Sequence, residues 1–422
     1  MRVGQRHDLK ENRLTTGGVV FAIVGIYVAQ TLVSTLAMQS IPALVRSTGG
    51  SLTLIGATTL FMLPWALKFI WAPLIERRRL PIGLARRRSR SLILGGQTAL
   101  VLLLLLAALS GYLNRSHPFQ TTEIIWLFAL FMMAGLVAAT IDIACDGFCV
   151  DQLAGSGYGW GNVAQVGGSY VGMMLGGGVF LLLTGRYGWP AAAMLLALMI
   201  LALTAPLWRV REPDRPDNAC HRPSLRYALT RDATRFGLLL IVCLNAGLRV
   251  VMPLSAPLLL DHGLSMTSLG WLLGGGSIAA GAAGTLGGGL LIHYWGLWRA
   301  LWIAYTLQGV MLSLVALNLW LAPSDITLGL LMGLTVAQFM VTACALVCVY
   351  SVLMRLSSSL QAGVDFTLFQ CADAGIAILT GSVGGMIAQQ FGYAACFLAA
   401  ACLTVLMTLA VAMRRRDFPA GI

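Results

Sequence analysis

Lys68, Asp142, Asp146, Arg249 and Asp373 lie inside otherwise apolar stretches of this sequence, with Asp151 and Asp365 near the ends of two of them. A charge held in hydrocarbon is costly unless it has a partner, so each is a candidate for handling an ion, a proton or a substrate. Asp142 and Asp146 are four apart, share one helix face, and can both approach one cation. At about 1.5 Å per residue, Lys68 stands roughly 12 Å from Glu76 at the end of its stretch, and Asp142 roughly 13 Å from Asp151. The matching depth predicts a pair between Lys68 and Asp142 or Asp146. Two readings of that pair stand side by side: a static salt bridge, or a pair whose carboxylate is displaced or protonated during a working cycle. Arg249 lies roughly 20 Å into its stretch and Asp373 roughly 15 Å into another, so they are partners by depth. Pro253 and Pro257 follow Arg249 and remove two helical hydrogen bonds, which suits the wall of an anion-binding cavity. Gln30, Gln165, Tyr170, Asn245, Gln338, Tyr350 and Gln370 are polar groups able to line a cavity or to bond helices together. Glu76 heads a basic run and is a candidate latch between two halves of the chain, pairing with a basic residue on the face where that run lies.

These residues need helices in lipid to position them. The chain has 422 residues, 58% hydrophobic and 10% charged, too little polar surface to cover a water-soluble globule of that size. Apolar stretches of about 20 residues, each able to cross a bilayer as a helix, recur along its length. Twelve are counted, over 17–39, 52–75, 91–111, 124–150, 160–183, 189–208, 236–260, 267–292, 299–320, 326–353, 363–389 and 393–413. The reading is an all-α polytopic membrane protein. Its net charge of +12 does not point to nucleic acid, because the arginines gather in alternate loops. Only Arg46, Arg115 and Arg186 fall on the opposite face, which places both termini in the cytoplasm. The first span is too long for a signal-peptide core and is read as retained, with the mature chain beginning near Met1.

A Pro-containing hydrophilic segment divides the chain into an N-terminal six-helix half (1–208), a cytoplasmic linker (209–235) and a C-terminal six-helix half (236–422). The halves echo each other. Ala72-Pro73-Leu74-Ile75-Glu76-Arg77 closes span 2 as Gly289-Leu290-Leu291-Ile292-His293-Tyr294 closes span 8. Gly185-Arg186-Tyr187-Gly188-Trp189 matches Gln389-Gln390-Phe391-Gly392-Tyr393 between later spans. Such pseudosymmetry is a transporter signature. Gly168, Gly172 and Gly176, like Gly270, Gly274, Gly281, Gly284 and Gly288, have the small-residue spacing of close helix packing, with a sliding interface as the functional alternative. Eight of the nine cysteines lie in spans as small apolar packers, and no disulfide framework follows. Cys145 and Cys149 beside Asp142 and Asp146 lack a histidine, so no metal site is assigned. No cofactor is expected. The arginine clusters 77–79 and 86–90 chiefly anchor a cytoplasmic loop and can meet anionic lipid head groups.

The run Leu63-Pro64-Trp65-Ala66-Leu67-Lys68-Phe69-Ile70-Trp71-Ala72-Pro73-Leu74-Ile75-Glu76-Arg77 resembles the second-span signature of the peptide and acetyl-coenzyme A transporter family, a branch of the major facilitator superfamily that includes muropeptide permeases. Ala139-Thr140-Ile141-Asp142-Ile143-Ala144-Cys145-Asp146 is similar to that family's Ala-Thr-Gln-Asp-Ile-x-x-Asp stretch, with Ile141 in place of Gln. The resemblance implies a major facilitator fold and coupling or gating roles for Lys68, Asp142 and Asp146. The compact length looks like the siderophore-permease subgroup (rhizobactin or pyochelin type). That implies a monomeric inner-membrane symporter, surrounded by membrane lipid, importing a metal-siderophore chelate, ferric in the first instance, by proton-coupled alternating access. The alternative is a muropeptide or other small-molecule permease of the same family. No G-x-x-x-x-G-K-[ST] loop is present, which argues against ATP-driven transport by this chain. An intramembrane transferase would need a second acidic cluster for magnesium and phosphate, and none is seen, so no enzyme activity is expected.

Overall fold

A Leu-, Ala- and Val-rich chain in hydrocarbon must satisfy its N–H and C=O groups within its own segment, which the helix does. The computed structural model describes residues 15–40, 58–113, 121–153, 157–214, 221–321 and 328–414, and within them every regular element is helical. The basic residues of the N-terminus, with Arg46, Arg115, Arg415 and Arg416, lie outside the described residues. The elements that matter here are α1 (Thr16–Thr35), α2 (Ala72–Arg79), α3 (Ser89–Leu113), α4 (Thr121–Gln152), α5 (Gly157–Tyr187) and α6 (Trp189–Trp208), then α7 (Asp232–Val251), α8 (Ser277–Trp295), α9 (Leu297–Leu321) and α10 (Leu328–Leu356). The run Ala362–Arg414 breaks at Gly392, whose φ of 82° is not helical, and so comprises α11 (362–391) and α12 (393–414).

Among the described residues nine stretches are long and apolar enough to cross a membrane, the last being the whole α11–α12 run. Dividing that run and adding the interrupted second span and the helical run over 266–295 agrees with twelve. Span 2 departs from the continuous helix expected over 52–75. It is a 3₁₀ turn (Thr58–Met62), a helical turn (Leu63–Leu67), a second 3₁₀ turn (Lys68–Ile70) and then α2. Pro64 and Pro73 each begin a helical turn and lack the N–H that would continue the one before. Pro253 likewise falls where α7 gives way to a 3₁₀ turn over Met252–Leu254. Gly188 and Gly392 share a φ of +82°, so the two turns that echo in sequence also share a backbone form strained for any residue with a Cβ.

By contacts the chain forms two units. Unit 1 takes in residues 1–153, 168–225 and 358–367, and unit 2 residues 154–167, 226–357 and 368–422. In unit 1, α3 packs on α4 and α6, while α1 packs on α4, α6 and the 168–179 part of α5. The expected glycine stripe is what admits this: a Cβ at Gly172 would fall 2.6 Å from the Val28 carbonyl oxygen, and one at Gly176 2.4 Å from that of Leu32. In unit 2, α10 packs on α7, α8 and α9, and residues 157–167 of α5 lie on α8 and α10. Leu258, Leu312, Leu331, Cys396 and Phe397 belong to its buried apolar cluster. Helix α5 therefore serves both units and changes over at Gly168, between two π-helical segments, Val163–Gly167 and Met174–Val179. The start of α11 likewise belongs to unit 1, the rest of it to unit 2.

Candidate functional site

In unit 1, the 3₁₀ turn between two proline-started helical turns carries Lys68 toward α4. Its ammonium donates to Asp142 Oδ2, forming an ion pair with Lys68 2% and Asp142 7% exposed. Of the two acids four apart, Asp142 takes this contact. Gln30 of α1, with its amide oriented to satisfy both partners, donates to Asp142 Oδ1 at 2.9 Å. Asp146, one turn along and fully buried, accepts from the Tyr27 hydroxyl at 2.8 Å, and that hydroxyl also contacts Cys149 Sγ at 3.4 Å. Tyr27 was not singled out from sequence. Its position three residues before Gln30, on an apolar helix, was the available signal. The cluster thus joins α1, span 2 and α4 through one cation and two carboxylates. A displaced partner or an added proton would change its charge.

A second cluster lies at the end of α2. Arg79 donates through Nε and Nη2 to both oxygens of Glu76, at 2.7 and 2.6 Å, and through Nη1 to Asp151 Oδ2. Ser89 and Arg87 complete it, with Arg87 Nε 3.4 Å from Asp151 Oδ2. This corrects one expectation. Of the arginines expected chiefly to anchor the cytoplasmic loop and able to meet lipid head groups, Arg79 is not available to lipid but fully buried, because two carboxylates neutralise it there. Burial alone would lower its pKa, but Asp151 and Glu76 outweigh that and raise it. Gly147 makes room, since a Cβ there would fall 2.7 Å from Arg79 Nε. Glu76 Oε1 also accepts the backbone N–H of Gly363, at the start of α11, at 3.2 Å. Sequence reasoning placed Glu76 and Asp151 here. It had no means to find Gly363, which is 287 residues away.

In unit 2, Arg249 of α7 makes two bonds to Asp373 of α11, Nε to Oδ1 at 3.1 Å and Nη2 to Oδ2 at 2.6 Å. Asn245, one turn earlier, donates to Oδ1 at 2.9 Å, and the Tyr350 hydroxyl of α10 donates to Oδ2 at 2.7 Å. The Tyr305 hydroxyl of α9 donates to Asn245 Oδ1 in turn. Asp373 thus accepts four hydrogen bonds with its side chain 3% exposed, while Arg249 keeps 17% exposure. An incoming anion would find the guanidinium accessible and its resident carboxylate held in place. Tyr305 was the member missed from sequence.

The remaining polar candidates are spread over both units. Gln338 donates to Thr342 one turn on, whose hydroxyl donates to Gln308. Gln165 lies on the π-helical segment of α5 in unit 2, whereas Tyr170, five residues on, lies in unit 1. Gln370 is half-buried on α11, three residues before Asp373. Among the described residues no group of three or more His, Cys, Asp and Glu side chains gathers as metal ligands would.

The sequence model of the Major Facilitator Superfamily matches residues 23–353. The anhydromuropeptide permease of Escherichia coli K12 is 28% identical over 386 residues, which is 89% of this chain and 74% of that protein. An uncharacterized protein of Haemophilus influenzae is 29% identical over 283 residues, 64% of each chain, so the match spans slightly less than two thirds of that relative. Among solved structures, the fucose:proton symporter of Escherichia coli superposes with a TM-score of 0.68 at 12% identity, over 94% of this chain and 98% of that one. A bacterial homologue of the iron transporter ferroportin, crystallised in an outward-facing state, gives 0.67 at 16% identity, over 95% and 100%. At such identities these likenesses speak for the fold.

Proposed function

The chain belongs to the Major Facilitator Superfamily, and from that premise we propose that it is a secondary transporter for a muropeptide or a chemically similar small anion. The observation that carries the substrate reading is the match to an anhydromuropeptide permease over 89% of the chain. It moves weight from the siderophore chelate to the muropeptide alternative. The ferroportin likeness, at 16% identity, does not restore iron as cargo.

Each cluster has a role in this proposal. Lys68 and Asp142 form the coupling pair, with Asp146 and Gln30 beside it. Protonation of a carboxylate, or its loss to a competing partner, changes the charge of the unit 1 cluster and biases the transport cycle. Arg249 receives an anionic group of the substrate at the expense of one bond to Asp373, while Asn245 and Tyr350 keep Asp373 hydrogen-bonded meanwhile. Glu76 acts as a latch, holding the N–H of Gly363 at the start of α11 in one state and releasing it in another. Transport runs inward across a bacterial inner membrane by alternating access, driven by protons. Gln165, Tyr170, Gln338 and Gln370 remain candidates for the cavity lining.

Uptake of radiolabelled anhydromuropeptide into spheroplasts of a deletion strain, complemented with wild type or Asp142→Asn, tests this. The expected result is uptake restored by wild type and not by the variant at equal membrane abundance. Uptake of labelled ferric siderophore in place of muropeptide would return the substrate assignment to the siderophore reading. Full restoration by Asp142→Asn would reduce the Lys68–Asp142 pair to a structural part.

A further inference from the structure

The turn between α8 and α9 carries a surface groove of about 500 Å³ lined by Tyr294, Trp295, Arg299, Trp302 and Ile303. It sits beside Gly296, whose φ of +79° ends α8, so it lies where two membrane-crossing segments reverse. Tyr294 and Trp295 are 75% and 56% exposed, the placement of aromatic rings at a lipid–water boundary. Trp302 stacks on Trp298 with centroids 6.3 Å apart, and Trp298 leans on Phe236 of α7 at 6.2 Å.

Charge says what belongs there. Between Asp261 and Asp325 the sequence has no Asp or Glu, and Arg299 is its sole Lys or Arg. Arg299 has no ion-pair partner among the described residues. A guanidinium with no carboxylate paired to it, beside aromatic rings, fits a phosphate, and its uncompensated charge favours an anionic head group over a zwitterionic one.

A second groove lies further along the same helix, in the direction an acyl chain would take. It measures about 380 Å³ and runs between α9 and α12, lined by Thr306, Val310, Leu314 and Leu317 with Val405 and Leu409. Positions 299, 303, 306, 310, 314 and 317 recur every three or four residues and share one face of α9. From Arg299 to Leu317 that face extends roughly 27 Å, more than the depth of one leaflet's hydrocarbon. We propose that α9 carries a binding site for one anionic glycerophospholipid, its phosphate on Arg299 between Trp295 and Trp302 and an acyl chain along the α9–α12 groove. This site is distinct from the three polar clusters and does not depend on the transported substrate.

Native mass spectrometry of the full chain, released from detergent after incubation with phosphatidylglycerol or phosphatidylcholine of the same acyl composition, reads it directly. Wild type is expected to retain phosphatidylglycerol in preference. Arg299→Gln should lose that preference by about fivefold, the effect of one basic contact to an anionic head group. Trp302→Ala should weaken retention as well. Arg186→Gln, an exposed arginine at the turn before α6, should retain lipid as wild type does. Equal retention of both lipids by wild type, or unchanged preference in Arg299→Gln, would overturn the site. So would displacement of phosphatidylglycerol by millimolar inorganic phosphate, which would assign Arg299 to a free anion.

Discussion

At the residue scale the Lys68–Asp142 and Arg249–Asp373 ion pairs differ in how they are held, and that difference is testable. Removing one partner of a buried pair leaves an uncompensated charge, typically a loss of about 3–5 kcal/mol. Lys68→Ala is therefore expected to lower the melting temperature in detergent markedly, and the double variant with Asp142→Asn to recover part of it. If the single and double variants melt alike, Asp142 does not depend on Lys68. In unit 2, Asp373→Asn should be the severest single change, because it strips the charge from an acceptor of four hydrogen bonds. Tyr350→Phe, which removes one neutral donor from the same carboxylate, should lose only about 1 kcal/mol. A thermal-shift series across both variants reads the order. Arg249→Lys keeps the charge and loses the fork, so substrate KM should rise with little change in melting temperature.

Among the elements, helix-to-helix distance is set by where a side chain is missing. A Cβ at Gly284 of α8 would fall 2.0 Å from the Met340 carbonyl oxygen of α10, whereas nothing lies within 4 Å of one at Gly287. Gly284→Ala is expected to destabilise by about 1–3 kcal/mol through overpacking. Gly287→Ala should be neutral or mildly stabilising, by up to about 1 kcal/mol, since Ala is the better helix former. Parallel unfolding of the two variants checks it, and equal effects would mean that α8 and α10 relax apart. The periodicity of small residues was visible beforehand. Which glycines meet a backbone was not, since Gly284 and Gly287 look alike in the chain and differ only in what stands opposite.

For the whole molecule, the arginine distribution predicts that the linker and both termini face the cytoplasm. Alkaline-phosphatase fusions placed in residues 209–235 should be inactive, and fusions in the loop containing Arg46 active; the reverse pattern would invert the topology. Membrane class, the approximate spans and the depth of each charge followed from the sequence alone, because hydrocarbon permits few charges and demands helices of set length. Depth narrowed the partners of Lys68 and Arg249 in the same way. Three things were decided only by tertiary structure. Asp142 rather than Asp146 meets Lys68, because rotation of α4 against the broken span 2 selects between acids one turn apart. Arg79 leaves its neighbours in the arginine run and is buried, because Glu76, Asp151 and the space over Gly147 converge on it. The starts of α5 and α11 belong to units other than those of their later turns, because packing follows contact in space and the linker only divides the chain in order.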